Sequence, residues 1–142
     1  MEQRISLITL GVTDLARSHG FYERLGWTSS AYSVAGVVTF FQCGGMVLAL
    51  WGRAEMAADA KVANDGHGFD GVSLALKVRS KDDVDRTLRE AEAAGARILD
   101  LGRTADWGGY LGHFADLDGH IWEIAWNPHF TIEVDGRIRL PR

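Results

Sequence analysis

The sequence predicts an α+β protein in which one pattern, strand–helix–strand–strand–strand (βαβββ), is written twice. Two observations carry this reading. Short stretches alternate apolar and polar residues, and between them apolar residues recur at helical spacing. The same order of stretches then returns after residue 70. A third observation sets the scale: 142 residues, 46% of them hydrophobic, suffice for two such modules in one domain with a real core.

The first copy spans about residues 5–51. Ile5 to Val12 alternates, with Ile8, Leu10 and Val12 on one face and Leu7, Thr9 and Gly11 on the other. Asp14 is placed to cap a helix running to about Leu25, whose apolar side is Leu15, Phe21, Tyr22 and Leu25. Gly26 stops it. Three short strands follow near Trp27–Tyr32, Gly36–Cys43 and Met46–Trp51, the last two joined by the hairpin signal Gly44-Gly45. Residues 52–70 form a linker, Ala-rich and then Asn64-Asp65-Gly66-His67-Gly68, which reads as a short helix and a loop.

The second copy spans about residues 71–126. Val72 to Val78 alternates. Ser80 with Asp83 looks like a capping box, Val84, Leu88 and Ala91 sit at helical spacing, and Gly95 ends the helix. Strands near Arg97–Leu101, Tyr110–Asp116 and His120–Trp126 complete it, with the turn Asp116-Leu117-Asp118-Gly119 between the last two. Ile8, Leu10 and Val12 register onto Leu74, Leu76 and Val78, and Phe40 and Gly45 onto Phe114 and Gly119. An extension of about residues 127–142 carries Arg137, Arg139 and Arg142; it reads as surface chain rather than a basic binding site.

Composition excludes several classes. Lys and Arg number 15 against 19 Asp and Glu, a formal net charge of −4, so no general binder of phosphate backbones and no nucleic-acid partner is expected. No apolar run approaches the roughly 20 residues of a spanning helix, so no membrane partner is expected. The Met1–Ser6 stretch lacks a signal-peptide apolar core, which leads to the expectation of a cytoplasmic protein. Cys43 is the single cysteine, so neither an intrachain disulfide nor a cysteine-based zinc site is available. Its default role is that of a small buried hydrophobe.

Two stretches carry a resemblance. One is Gly11-Val12-Thr13-Asp14-Leu15-Ala16-Arg17-Ser18 followed by Phe21-Tyr22-Glu23-Arg24-Leu25-Gly26; the other is Phe114-Ala115-Asp116-Leu117-Asp118-Gly119-His120-Ile121-Trp122-Glu123. Together they resemble the vicinal oxygen chelate superfamily, which includes glyoxalase I, extradiol dioxygenases, fosfomycin-resistance transferases and bleomycin-resistance binding proteins. Leu117 stands where that family usually has Pro. The resemblance implies the glyoxalase-like fold: two βαβββ modules forming curled mixed sheets around a small-molecule cavity. It also implies a homodimer.

The resemblance further implies a divalent metal held by up to four His, Glu or Gln ligands on the first and last strand of each module. The register puts those positions at Leu7, Ala49, Ser73 and Glu123. Only Glu123 is a good ligand, because Leu7 and Ala49 have no donor atom and the Ser73 hydroxyl is neutral. No divalent metal and no other cofactor is therefore expected. Leu7, Val47, Ala49 and Trp51 are read as apolar wall, Trp107 as an aromatic plate, and Ser73, His113 and Glu123 as the polar groups that orient a ligand.

In the fosfomycin-resistance relatives the position of His113 lines the cavity, so His113 and Glu123 are expected to share it and to hydrogen-bond. Such a pair has two readings: a general acid/base couple, or polar groups that merely orient a ligand. His120 has the opposite parity to Glu123 and should face away; His19 and His129 read as surface residues and His67 as a loop residue. Trp122 and Trp126 lie on the face opposite Glu123 and read as packing. Lys77 has the parity of Ser73, at the cavity rim or simply solvated at a strand end.

Three functions follow. The first is a small-molecule binder without metal, taking an apolar or aromatic ligand as the bleomycin-resistance relatives do. The second is an enzyme of lyase, isomerase or dioxygenase-like type using His113 and Glu123. The third is a rearranged metal site of Glu123, His113 and a loop histidine.

Overall fold

Strand β1 (Leu7–Val12) leads into helix α1 (Leu15–Arg24), and the Asp14 side chain caps it by accepting from the Arg17 amide at 3.0 Å. Strands β2 (Val38–Cys43) and β3 (Met46–Gly52) follow, then the short helix α2 (Arg53–Asp59). The sheet order is β1-β3-β2, with β1 parallel to β3 and β2 antiparallel to it. Phe21 and Tyr22 of α1 are fully buried, and Tyr22 and Trp27 both lie against Phe41, with ring centroids 5.7 and 5.6 Å away.

The strand expected at Trp27–Tyr32 does not form. One bridge, Ser29 to Phe41, remains of it. The reason is local: the Ser30 hydroxyl accepts from the Tyr32 amide at 3.2 Å and the Ser33 hydroxyl from the Phe40 amide at 2.9 Å. Serine hydroxyls here take amides that a strand ladder would otherwise use.

The second unit begins at Gly71. It contains β4 (Ser73–Lys77), α3 (Lys81–Ala94), β5 (Arg97–Thr104), β6 (Tyr110–Ala115) and β7 (Ile121–Trp126), with sheet order β4-β7-β6-β5. Ser80 caps α3 by accepting from the Asp83 amide at 3.1 Å, and Gly95 closes it at φ 112°, a left-handed turn that suits glycine. Val84, Leu88, Ala91 and Ala94 are the buried side of α3, which packs on β5, β6 and β7. Phe114 and Trp122 stack at 6.2 Å on neighbouring strands. The chain closes with a small hairpin, β8 (Thr131–Ile132) and β9 (Ile138–Arg139), whose Ile132 and Glu133 carbonyls accept from the Arg79 guanidinium at 2.9 and 2.8 Å. The computed structural model describes residues 1–140, so Arg142 lies outside the described residues. Among them, no helix is long and apolar enough to cross a membrane.

Strand pairing in the two units is equivalent. Leu7 faces Val47 and Thr9 faces Ala49 in the first, as Ser73 faces Ile121 and Ala75 faces Glu123 in the second. The register of the middle strand corrects the sequence reading by one residue. Ala49 pairs with Phe40, and Glu123 pairs with His113, so His113 is the counterpart of Phe40. Phe114 instead matches Phe41, and both are buried on the helix side. The slip arises in the hairpin turns, two residues between Cys43 and Met46 but five between Ala115 and Ile121. The longer turn is held by the buried Asp116 carboxylate, which accepts from the Asp118 and His120 amides, both at 2.9 Å.

Candidate functional site

Strand alternation sorts the second sheet into two faces. A Cβ on Gly112 would meet Leu88 of α3, so Gly112 faces the helix, and with it Phe114, Trp122 and Ile124. His113 and Glu123 therefore face away from α3, directly opposite each other on β6 and β7. Their side chains approach to 3.8 Å between Nε2 and Oε2. That is ion-pair range but too long for the hydrogen bond the sequence suggested. Ser73 lies on the same face at the start of β4, exposed, with only a marginal 3.5 Å contact to the Leu74 carbonyl.

Three charged residues join His113 and Glu123 in a row on this face, and none was assigned to the site from sequence. Lys77 Nζ donates to Glu123 Oε1 at 2.6 Å. Asp100 Oδ2 stands 3.5 Å from His113 Nδ1, and Arg103 Nε donates to the same oxygen at 2.8 Å. The row therefore runs Lys77, Glu123, His113, Asp100, Arg103 across four strands. Its two cations and two carboxylates balance, and the imidazole sits between the carboxylates. The Lys77–Glu123 contact was available from parity, since both positions share a face of adjacent strands. Asp100 was not. In a regular strand it would share the helix face of Ile98, but β5 is irregular between Ile98 and Asp100 and again before Arg103. Each irregularity flips the side-chain alternation and brings both residues to the His113 face.

The first sheet carries a different face. Leu7, Val47, Ala49 and Trp51 lie together with Thr9 and Phe40 on the side away from α1. Leu7 is exposed and Ala49 buried. Trp107, expected as an aromatic plate, is in the turn between β5 and β6; it is 46% exposed and its indole folds over Gly109, where no side chain would fit. Trp122 is buried on the helix side, and Trp126 lies there under the Lys81 ammonium.

The other histidines stand apart from this row. His120 Nδ1 is 2.9 Å from the Asp116 carboxylate and braces the turn. His19 is half-buried rather than solvated, edge-on to Phe41 at 6.1 Å and 3.1 Å from Glu23. His67 makes a marginal contact with the Asp65 carbonyl, and His129 is exposed. Burial pushes the Cys43 thiol above its ordinary pKa, which disfavours the reactive thiolate. A surface recess of about 380 Å3 lies between α3 and β5, lined by Leu88, Ile98 and Leu101 among others. It is on the helix side of the sheet and does not include the row of charges.

The residues at the family's ligand positions do not fit a divalent metal. Leu7 and Ala49 offer hydrocarbon, Ser73 a neutral hydroxyl, and the Glu123 carboxylate already accepts from an ammonium. Among the described residues, no group of three or more His, Cys, Asp or Glu side chains is placed to hold a metal ion.

Comparison with known proteins agrees with this architecture. The family model described as Glyoxalase/Bleomycin resistance protein/Dioxygenase superfamily matches residues 4–124. A glyoxalase-related enzyme from Fulvimarina pelagi is 35% identical, with a TM-score of 0.90 over 99% of this chain and 100% of its own. A glyoxalase/bleomycin resistance protein/dioxygenase family enzyme from Burkholderia phytofirmans PsJN is 17% identical, with a TM-score of 0.77 over 85% of this chain and 96% of its own. Lactoylglutathione lyase from Agrobacterium tumefaciens is 24% identical, with a TM-score of 0.67 over 89% and 96%. The last two likenesses are of fold alone. No curated protein matches the chain.

Proposed function

The chain belongs to the glyoxalase/bleomycin resistance protein/dioxygenase superfamily, and on that footing we propose that it binds a small apolar or aromatic molecule without a divalent metal. One observation carries the reading: the single carboxylate at a family ligand position, Glu123, is bound to Lys77 at 2.6 Å. Ser73, His113 and Glu123 supply the polar groups that orient the ligand, beside the apolar Ala75 and Ile121 of the same face. A few convergent polar groups on an apolar wall is the usual make-up of a small-molecule site. The first sheet has an apolar face of its own, with Leu7, Val47, Ala49 and Trp51. The test is an aromatic library titrated by tryptophan fluorescence into protein dialysed against EDTA. Ligands should bind the metal-free protein. Near one equivalent of Zn, Ni, Mn or Fe after chelator-free purification, lost in Glu123→Gln, overturns the reading.

A second reading is catalytic, as a lyase, isomerase or dioxygenase-like enzyme. It is favoured by the bracketing of His113 between Asp100 at 3.5 Å and Glu123 at 3.8 Å. A carboxylate on one ring nitrogen orients the imidazole so that the other can take or give a proton. Glu123→Gln separates the two readings. A binder changes only its affinity, whereas an acid/base enzyme loses at least about a hundredfold in turnover.

The chain is also proposed to work as a homodimer in the cytoplasm, with no nucleic-acid or membrane partner. β1 and β4 are open sheet edges, and Leu7, Val72 and Leu76 on or beside them are exposed. Light scattering that returns the mass of one chain at micromolar concentration overturns the dimer.

A further inference from the structure

We propose that Lys77 stands in for the family's metal ion: its ammonium, seated on Glu123, is the cation that receives an anionic oxygen of the ligand. This deepens the metal-free binding reading and rests on it.

The argument starts from where Lys77 lies. It is the last residue of β4, on the face of Ser73 and Ala75, and its partner on β7 is Ala125, two residues from Glu123. Its side chain turns toward Glu123 and is only 20% exposed, although lysine rarely leaves water without a partner. An ammonium carries three N–H donors and no acceptor. Glu123 Oε1 takes one, at 2.6 Å. Among the described residues no second acceptor is placed on Nζ, so donors remain for an incoming oxygen. Glu123 is kept in place on its other side by His113, which Asp100 and Arg103 in turn brace. The carboxylate thus does for an ammonium what it would do for a metal: it fixes a cation on this face of the sheet.

The substitution changes the ligand class. A divalent ion presents several coordination positions and holds two neighbouring oxygens at once. An ammonium is a single point charge, without a fixed bidentate geometry. It suits one anionic oxygen, such as a carboxylate or phenolate. Ala75, exposed on the same face between Ser73 and Lys77, and the half-buried Ile121 give an apolar surface for the body behind that oxygen. The ligand class is therefore a monoanion on an apolar or aromatic frame. A purely structural ion pair between β4 and β7 would show no such selectivity.

The probes are 2-naphthoate and its uncharged analogue 2-naphthamide, titrated calorimetrically into EDTA-dialysed protein. Wild type should prefer the carboxylate by at least tenfold. Lys77→Met should bind both at the amide's affinity, and Lys77→Arg should keep the preference. In wild type itself, 2-naphthoate should shift the Lys77 ammonium resonance in a 1H–15N spectrum and 2-naphthamide should not, a readout that survives even if a variant fails to fold. Equal binding of the two probes, a preference retained by Lys77→Met, or an unmoved ammonium resonance overturns the role of Lys77 while metal-free binding stands. If the EDTA-treated protein binds neither probe and added Zn2+ or Mn2+ restores 2-naphthoate binding, the metal-free reading itself falls. Binding of neither probe with or without metal overturns the proposed ligand class.

Discussion

The sheet faces turned away from α1 and α3 are built from equivalent positions and have opposite chemistry. Leu7, Phe40 and Ala49 in the first correspond to Ser73, His113 and Glu123 in the second, and Gly11 to Lys77. Each pair occupies the same register in the same ladder, so backbone geometry does not distinguish them. The first face is mainly apolar and holds none of the charges of the row that crosses the second. The comparison shows how one fold supplies two copies of a surface, and how a handful of side chains decides which of them is polar.

The hardest test of this division is to write the second face onto the first. Ala49→Glu places at the first copy's position the carboxylate that Glu123 supplies in the second. Ala49 is buried between Thr9 and Phe40; the counterpart of Lys77 is Gly11, and the Arg53 stem that lies over it carries its guanidinium to Asn64 Oδ1 at 2.8 Å rather than to Ala49. An unpaired buried charge costs about 3–5 kcal/mol. Urea unfolding should register a loss of that size. A variant as stable as wild type would mean that the apolar face is not sealed, and the contrast between the copies would fail.

The helix sides of the sheets sharpen the comparison. Gly112 of β6 corresponds to Thr39 of β2. A Cβ at Gly112 would stand 2.6 Å from Leu88 Cδ1 and 2.7 Å from the Asp100 carbonyl oxygen. Leu88 can turn; the Asp100 backbone cannot without dragging its side chain from His113. Gly112→Ala should therefore destabilise by about 1–3 kcal/mol, the usual cost of overpacking. It should also perturb the His113 ring resonances, seen by NMR. Unchanged stability would show that α3 does not press on β6 as closely as the structure has it.

How much of this was legible follows from which residues obey simple periodicity. Asp14, Ser80 and Gly95 announced their helix ends because capping is local chemistry, and alternation placed Ser73, Glu123 and Trp122 on their correct faces. The one-residue slip of Phe40 against His113 was hidden because turn length is not fixed by the strands that flank it. Asp100 and Arg103 were hidden by irregularities in β5 that no alternation rule anticipates. Ser30 reads as a strand residue, yet its hydroxyl takes the Tyr32 amide, and the hydroxyl of Ser33 just beyond takes that of Phe40. Lys77 had the right parity and was passed over because a strand-end lysine is usually solvated.

The smallest effect concerns a tie that the second copy has and the first lacks. Tyr110, at the start of β6, donates its hydroxyl to Asp85 Oδ1 of α3 at 3.0 Å. Its ring fits there because Gly102 has no side chain; a Cβ would meet the Tyr110 hydroxyl at 2.6 Å. The counterpart in the first copy is Val37, exposed and without a hydroxyl. The Asp85 hydrogen bond, helped by burial and by the charges of Asp85 and Asp82, holds the Tyr110 phenol above its ordinary pKa. A raised folded-state pKa means the stabilisation is complete below the ordinary tyrosine value of about 10 and is lost as pH rises through the raised one. Tyr110→Phe should thus cost about 0.5–1.5 kcal/mol at pH 7, the range of a single hydrogen bond. The cost should be unchanged at pH 9. At pH 11 it should shrink, because the unfolded chain's tyrosine, with its ordinary value of about 10, is then largely ionised and draws the equilibrium away from the protonated, hydrogen-bonded fold. Urea midpoints of the two proteins at the three pH values measure this. A difference that stays constant to pH 11 would trace it to ring packing over Gly102, and the hydroxyl would not be what fastens α3 to the second sheet.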